Sequence, residues 1–246
     1  MRLKKTLEGE LMKRAIIGGT GTQFLVDEDE RGFDVETSYG VVTLYEKENY
    51  YLLLRHMKAH KVLPHMINYK ANIAALKEVG VKEVVAIYAV GSISDKLKPN
   101  EIGLIDQFID FSFRSDSTFH LSEQSTIGHT LFDQPFSKVL NERLMKSSKE
   151  LKIELKEGGV YICTNGPRLE TASEIKMFKS WGSDYVGMTA STETILANEI
   201  GLTFSGIAHS INWATGITDG TVDFVDSISR SAKVAQIIQI IEKAFN

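Results

Sequence analysis

The sequence predicts an α/β protein folded as a single domain, with a mixed central β-sheet flanked by helices. Three observations carry this. Apolar runs of strand length at 15–17, 84–88, 160–163 and 204–209 alternate with segments whose apolar residues recur at helical spacing. Two further runs, 41–45 and 50–54, flank Lys47-Glu48-Asn49 and read as an antiparallel hairpin, which makes the sheet mixed. No Pro-rich, Ser/Gly-rich or single-charge linker divides the 246 residues, so one domain is expected over 1–246.

In chain order, residues 1–12 are rich in Lys and Glu and read as a solvated arm, with acidic residues interrupting any signal-like core. The strand at 15–17 runs into Gly18-Gly19-Thr20-Gly21. Glycines at such a turn let backbone N–H groups approach an anion, or simply make a tight connection. The GxGxxG spacing of a dinucleotide site is absent. After the hairpin, residues 55–65 gather Arg55, His56, Lys58, His60, Lys61 and His65, a pattern suited to an anion site or a solvated loop. No carboxylate or thiolate accompanies the histidines, which disfavours a metal there.

A helix is expected over 65–79, where Ile67, Ala71, Ala74, Ala75 and Val79 recur before Gly80. The strand at 84–88 leads to Ala89-Val90-Gly91-Ser92. Residues 102–105 form the next strand, with Asp106-Gln107-Phe108-Ile109-Asp110 following. The polar stretch 112–133 shows no period and reads as a long functional loop, and an amphipathic helix is expected from 135 to 151.

The strand at 160–163 delivers the richest segment. Gly166-Pro167 turns the chain, Arg168 and Glu170 set opposite charges beside it, and a helix follows over 171–181. The short strand Tyr185-Val186 closes in Gly187-Met188-Thr189. Polar residues at strand-to-helix turns are where open α/β sheets place ligands, although a loop with a helix cap gives the same pattern. A helix over 192–200 and the strand 204–209 lead to Asn212, whose amide suits either the edge of a planar heterocycle or an Asx turn. Residues 219–226 form a loop carrying Val222, Phe224 and Val225. The last helix is expected to bury Ile228, Ala232, Ala235, Ile238 and Ile241.

Composition bounds the partners. A net charge of −4 argues against nucleic acid, and no apolar run approaches a membrane span. Cys163 is the only cysteine, which rules out an intrachain disulfide and fits a reducing cytoplasm.

Taken together, several ordered motifs resemble the trimeric purine nucleoside phosphorylase family, most closely its methylthioadenosine/methylthioinosine phosphorylase branch. They are Gly18-Gly19-Thr20-Gly21, Arg55-His56 with His60, the run from Pro64 to Ile73, Asp106-Gln107-Phe108-Ile109-Asp110, Gly166-Pro167-Arg168-Leu169-Glu170-Thr171 and Gly187-Met188-Thr189. The resemblance spans nearly the whole chain. It implies a nucleoside phosphorylase-like fold, a homotrimer or dimer of trimers, and phosphorolysis, in which inorganic phosphate attacks the ribosyl C1′ and a purine leaves. By carry-over, Thr20, Arg55, His56, Ala89 and Thr189 would bind phosphate. Met188 would lie beneath the ribose and Leu169 against base and sugar, while Glu170 and Asn212 would act on the purine as the catalytic pair. Phosphate is then a co-substrate, and neither a metal nor an organic cofactor is required.

The residues also bear on base choice. Adenosine-type members carry two aspartates where this sequence has Asn212 and Ala214. Asn212 with Glu170 suits a 6-oxopurine, the amide donating to O6 or N7 and the carboxylate accepting from N1–H. At the ribose 5′ end, His129 matches a histidine that family members extend into a neighbouring subunit, and Val222, Phe224 and Val225 would make that pocket apolar enough for a methylthio group. Tyr88 and Leu169 depart from the family, which has a small hydroxyl residue and a phenylalanine there. The expected activity is 5′-methylthioinosine phosphorolysis. The alternatives are inosine/guanosine or methylthioadenosine phosphorolysis, nucleoside hydrolysis, or nucleoside binding without catalysis.

Overall fold

The computed structural model describes residues 12–59, 61–120 and 129–246; the expected arm, save Met12, and His60 lie outside them. Nine strands and five helices follow one another as β1 (Arg14–Gly18), β2 (Phe33–Thr37), β3 (Gly40–Glu46), β4 (Tyr51–Leu54), α1 (Tyr69–Glu78), β5 (Glu83–Ser92), β6 (Ile102–Asp110), α2 (Lys138–Leu151), β7 (Lys156–Cys163), α3 (Ala172–Ser180), β8 (Tyr185–Gly187), α4 (Ala190–Glu199), β9 (Thr203–Trp213) and α5 (Ser227–Phe245), counted among the described residues. The strands form one mixed sheet in the order β2-β3-β4-β1-β5-β8-β7-β6-β9.

β9 also returns to pair with β5 along ten residue pairs, so β5, β8, β7, β6 and β9 close on themselves. Alternation along the strands feeds two cores. Ala15, Ile17, Val84 and Ala86 point under α1 and α4, whereas Ile16, Val85 and Ile87 point under α2 and α5. Both faces of the central strands are therefore covered, which explains their unbroken apolar runs.

Where the elements differ from expectation, the cause is local. β2, absent from the sequence reading, is an acid-rich strand at the end of the sheet that buries only Val35, so it has no apolar run to announce it. The helix expected from 65 begins at Tyr69, because Asn68 caps it by accepting from the Ala71 N–H and Pro64–Met66 forms a separate 3₁₀ turn. Likewise Ser137 caps α2, which therefore starts at Lys138. β6 continues unbroken from Ile102 to Asp110. In α5 the buried set is Val234, Ile237, Ile238, Ile240, Ile241, Ala244 and Phe245. Ile228 is 81% exposed, because the sequence offers two apolar sets at helical spacing and only the one from Val234 onward meets the core. Among the described residues no helix is long and apolar enough to cross a membrane.

Candidate active site

The carboxyl ends of β1, β4, β5 and β8 meet at one cavity of about 220 Å³. It gathers Thr20, Arg55, His56, Ala89 and Thr189 with Leu169, Glu170, Met188, Asn212 and Phe224. Residues scattered over two hundred positions of sequence thus share a single enclosure.

Register accounts for one side of it. β1 runs parallel to β4, the Arg55 N–H donates to the Gly18 carbonyl at 3.0 Å, and the glycine turn therefore lies against Arg55. A Cβ on Gly19 would fall 2.5 Å from Arg55 Nη1 and 2.6 Å from the Ile87 carbonyl oxygen, so only glycine admits this approach. Arg55 is buried and donates from Nε and Nη2 to Glu193 Oε1 and Oε2 at 2.5 and 2.8 Å, and from Nη1 to the Ile87 carbonyl at 3.0 Å. Three of its five N–H groups are committed in this way, and two remain for an anion. Tyr88 completes the arrangement: its ring lies under the guanidinium at 4.7 Å and its hydroxyl donates to Glu193 Oε2 at 2.7 Å. Burial alone would lower the guanidinium pKa, but the Glu193 carboxylate raises it above its ordinary value. Burial and Glu193 together push the Tyr88 hydroxyl well up, so it stays a donor.

His56, also buried, donates from Nδ1 to the Val62 carbonyl at 2.7 Å, since a carbonyl can only accept; this fixes the tautomer and the plane of the ring. Thr189 is the N-cap of α4 but makes no side-chain cap bond, and its N–H donates to the Tyr161 hydroxyl at 3.2 Å. The amino end of α4 adds its partial positive charge to this side of the cavity. Guanidinium, imidazole, glycine turn and helix end thus lie together on one side of the cavity, a chemistry suited to a small anion.

At the other side sits the carboxylate-amide pair. Glu170 follows the Gly166–Pro167 turn, whose peptide is cis, and is held by the Thr164 hydroxyl, which donates to Oε1 at 2.6 Å. Burial raises its carboxyl above the ordinary range, and the Thr164 bond pulls in the opposite direction. Asn212 belongs to β9 and does not lie beyond its end. Its Nδ2 donates to the Trp213 carbonyl at 2.8 Å. The β5–β9 register passes from Val90–Ser210 to Gly91–Asn212, and this bulge lets both Ile211 and Asn212 line the cavity. Between the two sides Met188 packs against Gly166, where a Cβ would fall 2.4 Å from Sδ.

Not every expected residue reaches the cavity. Val222 and Val225 lie outside its lining while Phe224 is in it, because Phe224 forms a bridge with Asn212 and its neighbours face elsewhere. His129 is exposed and also apart from the lining. Of the basic cluster, Lys58 is engaged by the carbonyls of Asp27, Glu28 and Glu30, and His65 is exposed. The sequence reading missed Glu193, Thr164 and Arg114. Glu193, in Thr192-Glu193-Thr194 of α4, could have been flagged as an acid on a helix otherwise free of charge until Glu199. Arg114 donates to the carbonyls of Asn165 and Met188 and to Thr192 Oγ1, tying the turn to the cavity floor. A larger cavity of about 720 Å³ between β6 and α2 mixes lysines with acids and contains none of the anticipated phosphate or purine residues. Among the described residues no group of three or more His, Cys, Asp or Glu could hold a metal.

Donors suited to an anion thus face a carboxylate and an amide across a thioether in one cavity, the chemistry of a small-molecule site. Residues 13–245 match the phosphorylase superfamily, and the chain belongs to that family. The 6-oxopurine nucleoside phosphorylase of Pyrococcus furiosus is 37% identical over 213 residues, 83% of this chain and 80% of that protein. A protein of Methanopyrus kandleri named "Probable S-methyl-5′-thioinosine phosphorylase" is 37% identical over 235 residues, 93% of this chain and 90% of its own. Among solved structures, a variant adenosine/methylthioadenosine phosphorylase from Schistosoma mansoni, in complex with adenine, superposes with a TM-score of 0.84 at 27% identity, covering 95% of this chain and 90% of the other.

Proposed function

We propose that this protein cleaves 6-oxopurine nucleosides by phosphorolysis, with 5′-methylthioinosine preferred, releasing the purine and 5-methylthioribose 1-phosphate. The observation that carries the reading is the two-sided cavity, with an anion-binding set facing a buried carboxylate and amide. Phosphate held by Thr20, Arg55, His56, the Ala89 backbone and Thr189 supplies the nucleophile. It also stabilises the positive charge that builds on the ribosyl ring as the glycosidic bond breaks. On the purine, Asn212 donates to O6 or N7 and Glu170 accepts from N1–H, which draws off the negative charge of the departing base. Met188 supports the ribose, and Leu169 packs on base and sugar.

Relatives named for 6-oxopurine nucleosides and for S-methyl-5′-thioinosine support this choice over the adenine-type reaction. Phe224 gives the cavity an apolar wall suited to a methylthio group. Inosine and guanosine are the nearest alternative substrates. Phosphate is the co-substrate, and no metal or organic cofactor enters the reaction. The working assembly is a homotrimer or dimer of trimers in the cytoplasm, in which His129 of one subunit reaches the 5′ pocket of the next. The discriminating experiment is base release with and without phosphate and with a chelator. Turnover should vanish without phosphate and persist with the chelator; release in phosphate-free buffer would point to hydrolysis instead.

A further inference from the structure

We infer that Thr164 is a specificity-determining positioning residue, which selects the purine by holding Glu170 as a hydrogen-bond acceptor. The inference rests on the reading above that Glu170 meets the purine N1. Thr164 stands one residue past the end of β7, with its backbone fixed by donation to the Gly187 carbonyl at 2.9 Å. Its hydroxyl has one proton to give. Glu170 Oε1 lies at 2.6 Å and the Gly187 carbonyl at 3.5 Å, so the carboxylate receives it. Both side chains are buried, at 9% and 7% exposure.

A carboxylate presents only lone pairs, while a carboxylic acid presents one donor. The distinction matters at N1, which carries a proton in 6-oxopurines and a lone pair in 6-aminopurines. Ionised Glu170 matches the first and opposes the second; protonated Glu170 does the reverse. Burial pushes this carboxyl toward the protonated form, and the Thr164 hydroxyl works against that push. Arg168, the cation on the same turn, is turned to Glu174, with Nη1 and Nη2 at 2.8 and 2.7 Å, so this pair offers Glu170 little net charge. Arg55 and His56 share the cavity from the end of β4, and Asn212 faces it from β9. Glu170's own backbone N–H also favours the ionised form, but the Thr164 hydroxyl is the larger of the two contributions and the one side-chain donor to this carboxylate among the described residues.

The test is kcat/KM for inosine and for adenosine between pH 5 and 8 at saturating phosphate, in the wild type, Thr164→Val and Thr164→Ser. The acid limb of such a profile reports the free enzyme's essential base. Loss of the hydroxyl should move the inosine limb to higher pH by roughly one unit. On the acid side of both limbs, inosine turnover and the inosine-to-adenosine ratio would then fall about tenfold, with convergence on the wild type on the alkaline side. Thr164→Ser should keep the wild-type profile, and melting curves at pH 8 verify that each variant is folded. An unchanged limb in Thr164→Val, or a Ser variant as shifted as Val, overturns the inference. The wild type supplies a control independent of any variant: its inosine-to-adenosine ratio must fall as the pH drops through the limb, and a flat ratio also overturns it. A wild type that cleaves adenosine as well as inosine at pH 8 overturns the base assignment itself, an outcome distinct from a normal preference that Thr164 does not influence.

Discussion

Arg55 shows how a residue legible in the sequence depends on partners that were not. Its position after an apolar strand and beside His56 suited an anion site or a solvated loop, and the resemblance implied phosphate, yet nothing in the sequence tied it to Glu193, 138 residues away, or to Tyr88. Removing one partner of a buried ion pair leaves a bare charge, so Glu193→Ala should destabilise the fold by about 3–5 kcal/mol in chemical denaturation. Tyr88→Phe keeps the ring under the guanidinium but removes the bond to the carboxylate. It should cost about 1.5–3 kcal/mol and raise the KM for phosphate while leaving the KM for nucleoside unchanged. Equal changes in both constants would mean that Tyr88 acts on the site as a whole rather than through Arg55. At the purine, Asn212→Asp should narrow the preference for the 6-oxo base. The shift should be partial, because Ala214 still stands where adenine-type members carry a second aspartate.

The elements were legible where the local signal matched the final packing. The hairpin appears as β3 and β4, and the helix after Glu170 as α3, closed at its start by a capping box between Thr171 and Glu174. Because that box is exposed and its bonds are local, Thr171→Ala should cost about 1 kcal/mol of stability without changing phosphate affinity. Elements were illegible where the decisive contact is distant. The β9 bulge that brings Asn212 into the cavity depends on its pairing with β5, and β2 persists because β3 pairs with it along its whole length. The glycine turn lies between these cases. Its flexibility was visible, but the reason for it, the approach of Arg55 and Ile87, appears only once β1 and β4 are side by side. Gly19→Ala should therefore both weaken phosphate binding in calorimetry and lower the melting temperature, because the Ile87 carbonyl cannot yield as a side chain can.

Across the molecule, pairing within one sheet brings residues far apart in sequence to one cavity, while the α1–α4 and α2–α5 layers cover the two faces of the sheet behind it. Periodicity predicted a mixed sheet with helices on it, but closure follows from β9 pairing with both β5 and β6, a choice no local pattern encodes. The same limit applies to the 5′ end of the ribose, where Phe224 lines the cavity and His129 stands apart from it within one chain. A closed symmetric assembly would supply the missing wall, and sedimentation should find a trimer or hexamer rather than a monomer. The central claim, a phosphorylase whose Glu170 and Asn212 select a 6-oxopurine, is tested most directly by comparing 5′-methylthioinosine, inosine, 5′-methylthioadenosine and adenosine at neutral pH with phosphate. Sites that pair buried polar groups with the substrate discriminate by roughly 10⁴-fold, so methylthioinosine should be cleaved fastest and both adenine nucleosides barely at all. Cleavage of methylthioadenosine at a rate equal to that of methylthioinosine would contradict the account.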